Sequence, residues 1–142
     1  MDNLSVVITD PPQAKGMTLL TVKGSLDTTT APVFEESFKS ALDDKKFKLV
    51  IDLTEVNYIS SAGWGLFVSE IKHIRNEGGD LVLAGMTPNV LEVFELLDFG
   101  SILKFFPDLP GAFIKGFQKT NLLTGKPAFS LLKKKTKVQV EK

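Results

Sequence analysis

The chain is 142 residues long, the size of one domain with at most a tail, and 43% of its residues are hydrophobic, so global disorder is excluded. It has 17 basic and 17 acidic side chains, unevenly placed: residues 119–142 hold seven Lys against Glu141 for a net +6, and residues 1–118 hold 10 basic and 16 acidic side chains for a net −6. An acidic body argues against direct nucleic acid binding, and the lack of Cys excludes disulfides, thiolate chemistry and cysteine zinc sites.

Leu4–Thr9 and Thr18–Lys23 are short β-branched stretches separated by Asp10-Pro11-Pro12 and Lys15-Gly16, which predicts a hairpin with a long loop. Gly24 is expected to end the second strand. Phe34, Phe38, Ala41 and Leu42 then follow a helical period, with Thr30 as the expected cap and Pro32 in the first turn. Phe47–Leu53 predicts a buried strand, followed by a polar loop. From Ser61, the residues Trp64, Phe67, Val68, Ile71 and Ile74 predict one helical stripe, stopped by Glu77-Gly78-Gly79. Leu81–Ala84 is the next strand. Thr87-Pro88 opens a helix with Val90, Leu91, Phe94 and Leu97 turned inward and Gly100 as the stop. Ile102–Phe106 predicts a last strand, and Asp108 caps a final helix with Leu109, Ala112, Phe113 and Phe117 on its apolar side.

The predicted order is ββαβαβαβα, an α/β domain over residues 1–118 with a mixed β-sheet and helices mainly on one face. Val50, Ile51, Phe67, Ile71, Val82, Leu83, Phe94 and Leu97 are its expected core. Residues 119–142 form a basic C-terminal extension, expected to be flexible. The Met1-Asp2-Asn3 start lacks the basic and apolar regions of a signal peptide, and no apolar run reaches membrane-spanning length, so the expected location is cytoplasmic.

The chemistry of catalysis is thin. The single histidine, His73, falls opposite the Trp64 stripe and reads as a solvated side chain. The acids have no calcium-loop spacing, no phosphate-binding loop follows a strand, and Ile59 stands where a nucleophile elbow needs glycine. No metal, no cofactor and no enzymatic activity are expected.

The informative stretch is Val50–Phe67. Ser60-Ser61 opens a helix that also carries Gly63 and Gly65 in its first turns, each costing about 1 kcal/mol relative to alanine. Two explanations stand side by side: a serine cap with glycines that let the helix approach the sheet, or a docking surface with a serine at its centre.

Asp52-Leu53-Thr54-x-Val56-x-Tyr58-Ile59-Ser60-Ser61-Ala62-Gly63 resembles the signature of the STAS domain family, whose best-known members are bacterial anti-sigma-factor antagonists. Gly24-Ser25-Leu26-Asp27 with Thr30-Ala31-Pro32, and Leu83–Met86 with Pro88, Val90 and Leu97-Asp98, resemble two further segments of the family. The resemblance covers residues 4–118. It implies a phosphorylation-switched, protein-binding module that sequesters an anti-sigma serine kinase and so regulates transcription, with a serine phosphatase as a further partner. Carried over by position, the phosphorylated serine is Ser61. Ser60 stands where the family commonly has Asp, and is a rival acceptor; Ala62 replaces a common Ser or Thr, and Trp64 a common Leu. The implied contact surface comprises Ser60, Ser61, Gly63, Trp64 and Gly65, with Asp27, Thr28, Thr29 and Thr30 on one side and Met86 and Thr87 on the other, provided the parallel strands end together. The alternative within the family is a non-phosphorylated adaptor subunit of a membrane transporter or signalling complex.

Overall fold

A computed structural model describes residues 3–117. Five strands lie side by side in chain order: β1 (Ser5–Thr9), β2 (Thr18–Leu26), β3 (Lys48–Ile59), β4 (Asp80–Ala84) and β5 (Lys104–Phe106). β1 pairs antiparallel with β2, and the other pairings are parallel. The sheet is mixed, as expected.

From β2 to β5 each strand is added on the same side of the last. Right-handed crossovers in one constant direction place every connecting helix on one face. These helices are α1 (Ala31–Asp43), α2 (Ser61–Ser69), α3 (Ile71–Asn76) and α4 (Pro88–Leu96). Their buried side chains, including Phe34, Phe38, Trp64, Phe67, Ile74 and Phe94, pack on Leu20, Val22, Leu49, Ile51, Leu81 and Leu83 of the strands. The alternate strand residues Val50, Val82, Ala84 and Phe106 point to the other face, where Ala112, Leu109 and Phe113 of α5 (Leu109–Lys115) cover them together with Phe117 just beyond the helix. The continuous apolar runs of β3 and β4 reflect this two-sided burial.

Several expectations need correction. Gly24 does not end β2: the strand continues to Leu26 through a register irregularity, with Gly24 at φ +117° against the Asn3 carbonyl. No loop follows Leu53. β3 runs on to Ile59 because the extended end of β2 pairs with it, Ser25 opposite Tyr58 and Leu26 opposite Ile59. The Trp64 stripe spans two helices, broken at Glu70, and all its large apolar members except half-buried Val68 remain buried. Leu97 is not core. α4 ends at Leu96, Leu97 is 53% exposed, and Asp98 in the left-handed region turns the chain so that Phe99 stacks on Trp64 at 5.0 Å instead. A 3-10 turn over Phe99–Ser101 also delays β5 to Lys104. The other seven expected core residues are buried. The expected extension, residues 119–142, lies outside the described residues.

Candidate functional site

The C-terminal ends of β2, β3 and β4 converge with the N-termini of α1, α2 and α4. Ser60 ties two of these ends: its N–H donates to the Leu26 carbonyl at 2.8 Å. Its hydroxyl accepts from the Gly63 N–H at 3.3 Å, so Ser60 is the N-cap of α2 and half-buried. Ser61 is the first residue of the helix and is exposed. Its position differs from that of Ser60 by one residue, yet only Ser60 is tied down as a cap.

The two helix glycines also differ. A Cβ on Gly63 would sit 2.8 Å from Ile59 Cγ2 and Leu26 Cγ, so this glycine lets α2 press onto the strand ends. Gly65 is exposed and a Cβ there would meet open space. Close packing therefore explains Gly63 and leaves Gly65 unexplained by packing.

Trp64 is 1% exposed, among Phe67, Phe94 and Phe99. A side chain buried there offers a partner no surface, which corrects the contact role expected for it. The helical period that placed Trp64 on the apolar stripe was the better guide. Its Nε1 is buried without a hydrogen-bond partner among the described residues.

The loop before α1 is a compact hydrogen-bonded turn. Asp27 Oδ1 accepts from the Thr29 N–H at 3.0 Å, the Thr29 hydroxyl at 2.7 Å and the Thr30 N–H at 3.1 Å. The Thr29 hydroxyl first, and then the Thr30 amide, hold the Asp27 carboxyl below the usual carboxylate range. Thr30 is buried. Its hydroxyl donates to the Ser25 carbonyl at 2.7 Å and accepts from the Asp27 N–H at 2.9 Å. Thr30 is the N-cap residue of α1, as expected, but its side chain braces the turn and makes no capping hydrogen bond to the helix. Thr28 and Thr29 are exposed beside it.

On the far side, Thr87 caps α4 by accepting from the Val90 N–H, and its hydroxyl donates to the Val56 carbonyl at 3.2 Å. Gly85, at φ +73°, brings this turn against Thr54, where any Cβ would collide with the hydroxyl. Met86 and Thr87 are half-buried. The three segments named from the sequence thus lie at one end of the sheet. Two exposed apolar side chains that the sequence reading left out sit at the same end: Tyr58, 54% exposed near the end of β3, and Val33, 44% exposed in the first turn of α1. Both fall just off the buried positions Ile59 and Phe34, which is the signal that could have found them. His73 lies elsewhere, exposed, with its ring edge against Phe47. Among the described residues no helix is long and apolar enough to cross a membrane.

A surface of hydroxyls, two exposed apolar side chains and a helix N-terminus can bind a protein and can carry an added anion. Backbone N–H groups and the helix dipole favour negative charge at the start of α2. The described site holds no paired nucleophile and base.

A model of the STAS domain family matches residues 9–112. The chain is 35% identical over 83 residues to an anti-sigma-B factor antagonist of Listeria monocytogenes, covering 58% of this chain and 73% of that relative. An anti-sigma factor antagonist from Mycobacterium paratuberculosis shares the fold with a TM-score of 0.69 at 23% identity, covering 77% of this chain and 90% of that one. The phosphorylated form of the Bacillus cell fate determinant SpoIIAA shares it with a TM-score of 0.55 at 14% identity, over 72% of this chain and 91% of that one.

Proposed function

The chain belongs to the STAS domain family, and from that premise we propose that it is an anti-sigma factor antagonist switched by phosphorylation of Ser61. The partner is an anti-sigma serine kinase, docked on the end of the sheet where α2 begins. The unmodified protein holds that partner and frees a sigma factor. The phosphorylated protein releases it, and a serine phosphatase restores the first state. The action is binding, carried out in the cytoplasm.

The observation that carries this reading is the division between two adjacent serines. Ser60 is half-buried and caps α2, whereas Ser61 is exposed at the first helical position. A phosphate on Ser61 adds about −1.5 to −2 charges at neutral pH. In the free protein the N-terminal amides of α2 tolerate it. Inside a docked interface, next to Tyr58, Val33 and the threonine turn, it is desolvated, and none of the described residues named for this surface carries a positive charge to match it, which opposes docking.

The test incubates the protein with the cognate kinase and ATP, followed by site-resolved mass spectrometry and a binding assay. Phosphate on Ser61, with binding retained by Ser61→Ala and weakened by Ser61→Asp, is the expected result. Phosphate on Ser60 alone moves the switch by one residue. No phosphate on either serine, with binding indifferent to Ser61→Asp, removes the switch and leaves a non-phosphorylated adaptor.

A further inference from the structure

At the end of the sheet opposite Ser61, three turns border an open concave cavity of about 650 Å³. They are the β1–β2 connection, the turn after α1 and the turn after α3. Lys15, Lys45, Lys46 and Lys48 line it, four of the ten basic side chains in residues 1–118. The acids on its wall are Asp10 and Glu77. The cavity is thus net positive on a body that is net negative.

One lysine has a partner that orders the wall. Lys46 Nζ donates to Asp10 Oδ2 at 3.0 Å, and Asp10 Oδ1 accepts from the Thr18 hydroxyl at 2.9 Å. Lys15, Lys45 and Lys48 have no ion pair among the described residues. Lys45 also occupies a costly position. Its φ is +63°, in the turn that closes α1 by the Lys46 N–H on the Ala41 carbonyl, where glycine is the residue without a steric penalty. The end of α1 does not by itself require this many cations, because a helix terminus carries only about half an elementary charge. The opening suits a small, solvent-exposed ion, and lysines are mobile point charges suited to phosphate-like groups.

We infer that this cavity binds a small, multiply charged oxyanion, at a site separate from the Ser61 surface. Lys15, Lys45 and Lys48 supply the charge, and the Lys46–Asp10 pair holds the wall. The inference does not depend on the docking function.

The test is a titration of the full chain with sodium tripolyphosphate at low salt, followed by amide chemical shifts. Site resolution matters because the lysines of residues 119–142 also attract anions. Saturable shifts at Gly16, Lys45 and Gly78 are expected, and added NaCl weakens them. The Lys15→Gln/Lys45→Gly/Lys48→Gln protein should bind about tenfold more weakly at those amides. Lys45→Gly alone removes one charge while giving the turn its preferred residue, so its loss of affinity cannot come from unfolding. Lys72→Gln/Lys115→Gln, away from the cavity, should bind as the parent does. Shifts confined to residues 119–142, or equal affinity in the parent and the triple variant, would overturn the site.

Discussion

Ser60 and Ser61 differ in what their hydroxyls hold, and stability should separate them. Ser60→Ala removes the acceptor of the Gly63 N–H and should cost about 1 kcal/mol. Ser61→Ala removes an exposed hydroxyl at a position where alanine is a good helix former, and should change stability by less than about 0.5 kcal/mol. Urea unfolding of the two variants measures the contrast; equal losses would mean that the cap is shared. The glycines make a second pair. Gly63→Ala forces a Cβ against Ile59 and Leu26 and should cost about 1–3 kcal/mol. Gly65→Ala meets open space and should stabilise α2 by up to about 1 kcal/mol. If Gly65→Ala keeps the fold but weakens binding to the proposed kinase partner, the bare backbone at that position belongs to the proposed docking surface.

At the scale of elements, α4 illustrates how a periodic stripe can overrun its helix. Phe94 lies within α4 and is fully buried, in edge contact with Phe105 at 4.7 Å between ring centroids. Phe94→Ala should cost about 3–5 kcal/mol. Leu97 continues the same spacing but caps the helix in the open, so Leu97→Ala should cost less than about 1 kcal/mol. Thermal melting of both proteins checks the assignment, and a large loss at Leu97 would place it inside a contact that the fold does not show. The same overrun accounts for the stripe read as a single helix from Trp64 to Ile74: burial keeps the period while the backbone breaks at Glu70.

Across the whole molecule, one buried cation joins the two faces of the sheet. Lys104 is 6% exposed; its ammonium lies 3.3 Å from Asp80 Oδ2 and donates to the Gly116 carbonyl at 2.7 Å, just past the end of α5. Arg75, from the end of α3, holds the other Asp80 oxygen at 3.0 Å and the Ile102 carbonyl at 2.7 Å. Lys104→Ala leaves a carbonyl and a carboxylate oxygen without a partner and should cost about 3 kcal/mol, because breaking one side of a buried pair is expensive. Lys104→Met keeps the packed stem and should lose less. Chemical denaturation of both compares them; an unchanged midpoint in Lys104→Ala would mean that α5 is held by its apolar face alone.

The amino-acid sequence by itself determined the five strands, their order and the starts of α1, α2, α4 and α5, but not the break that separates α2 from α3. Apolar period, Thr87, Asp108 and the glycine stops act within a few residues of themselves, so helix starts and the buried runs Leu49–Ile51 and Leu81–Leu83 were legible before any packing was known. The two serines and two glycines at one helix start are a local pattern that drew attention to this segment, and only the family resemblance singled out Ser61 within it. What the sequence could not decide were the features set by distant partners. The length of β3 depends on the paired end of β2, and Phe99 takes the place on Trp64 that spacing offered to Leu97. The burial of Trp64, the different placement of the two serine hydroxyls and the gathering of four lysines around one cavity likewise depend on which chain segments meet. Hydrogen bonding and charge are satisfied in space, across tens of residues, and only the tertiary structure supplies that neighbourhood.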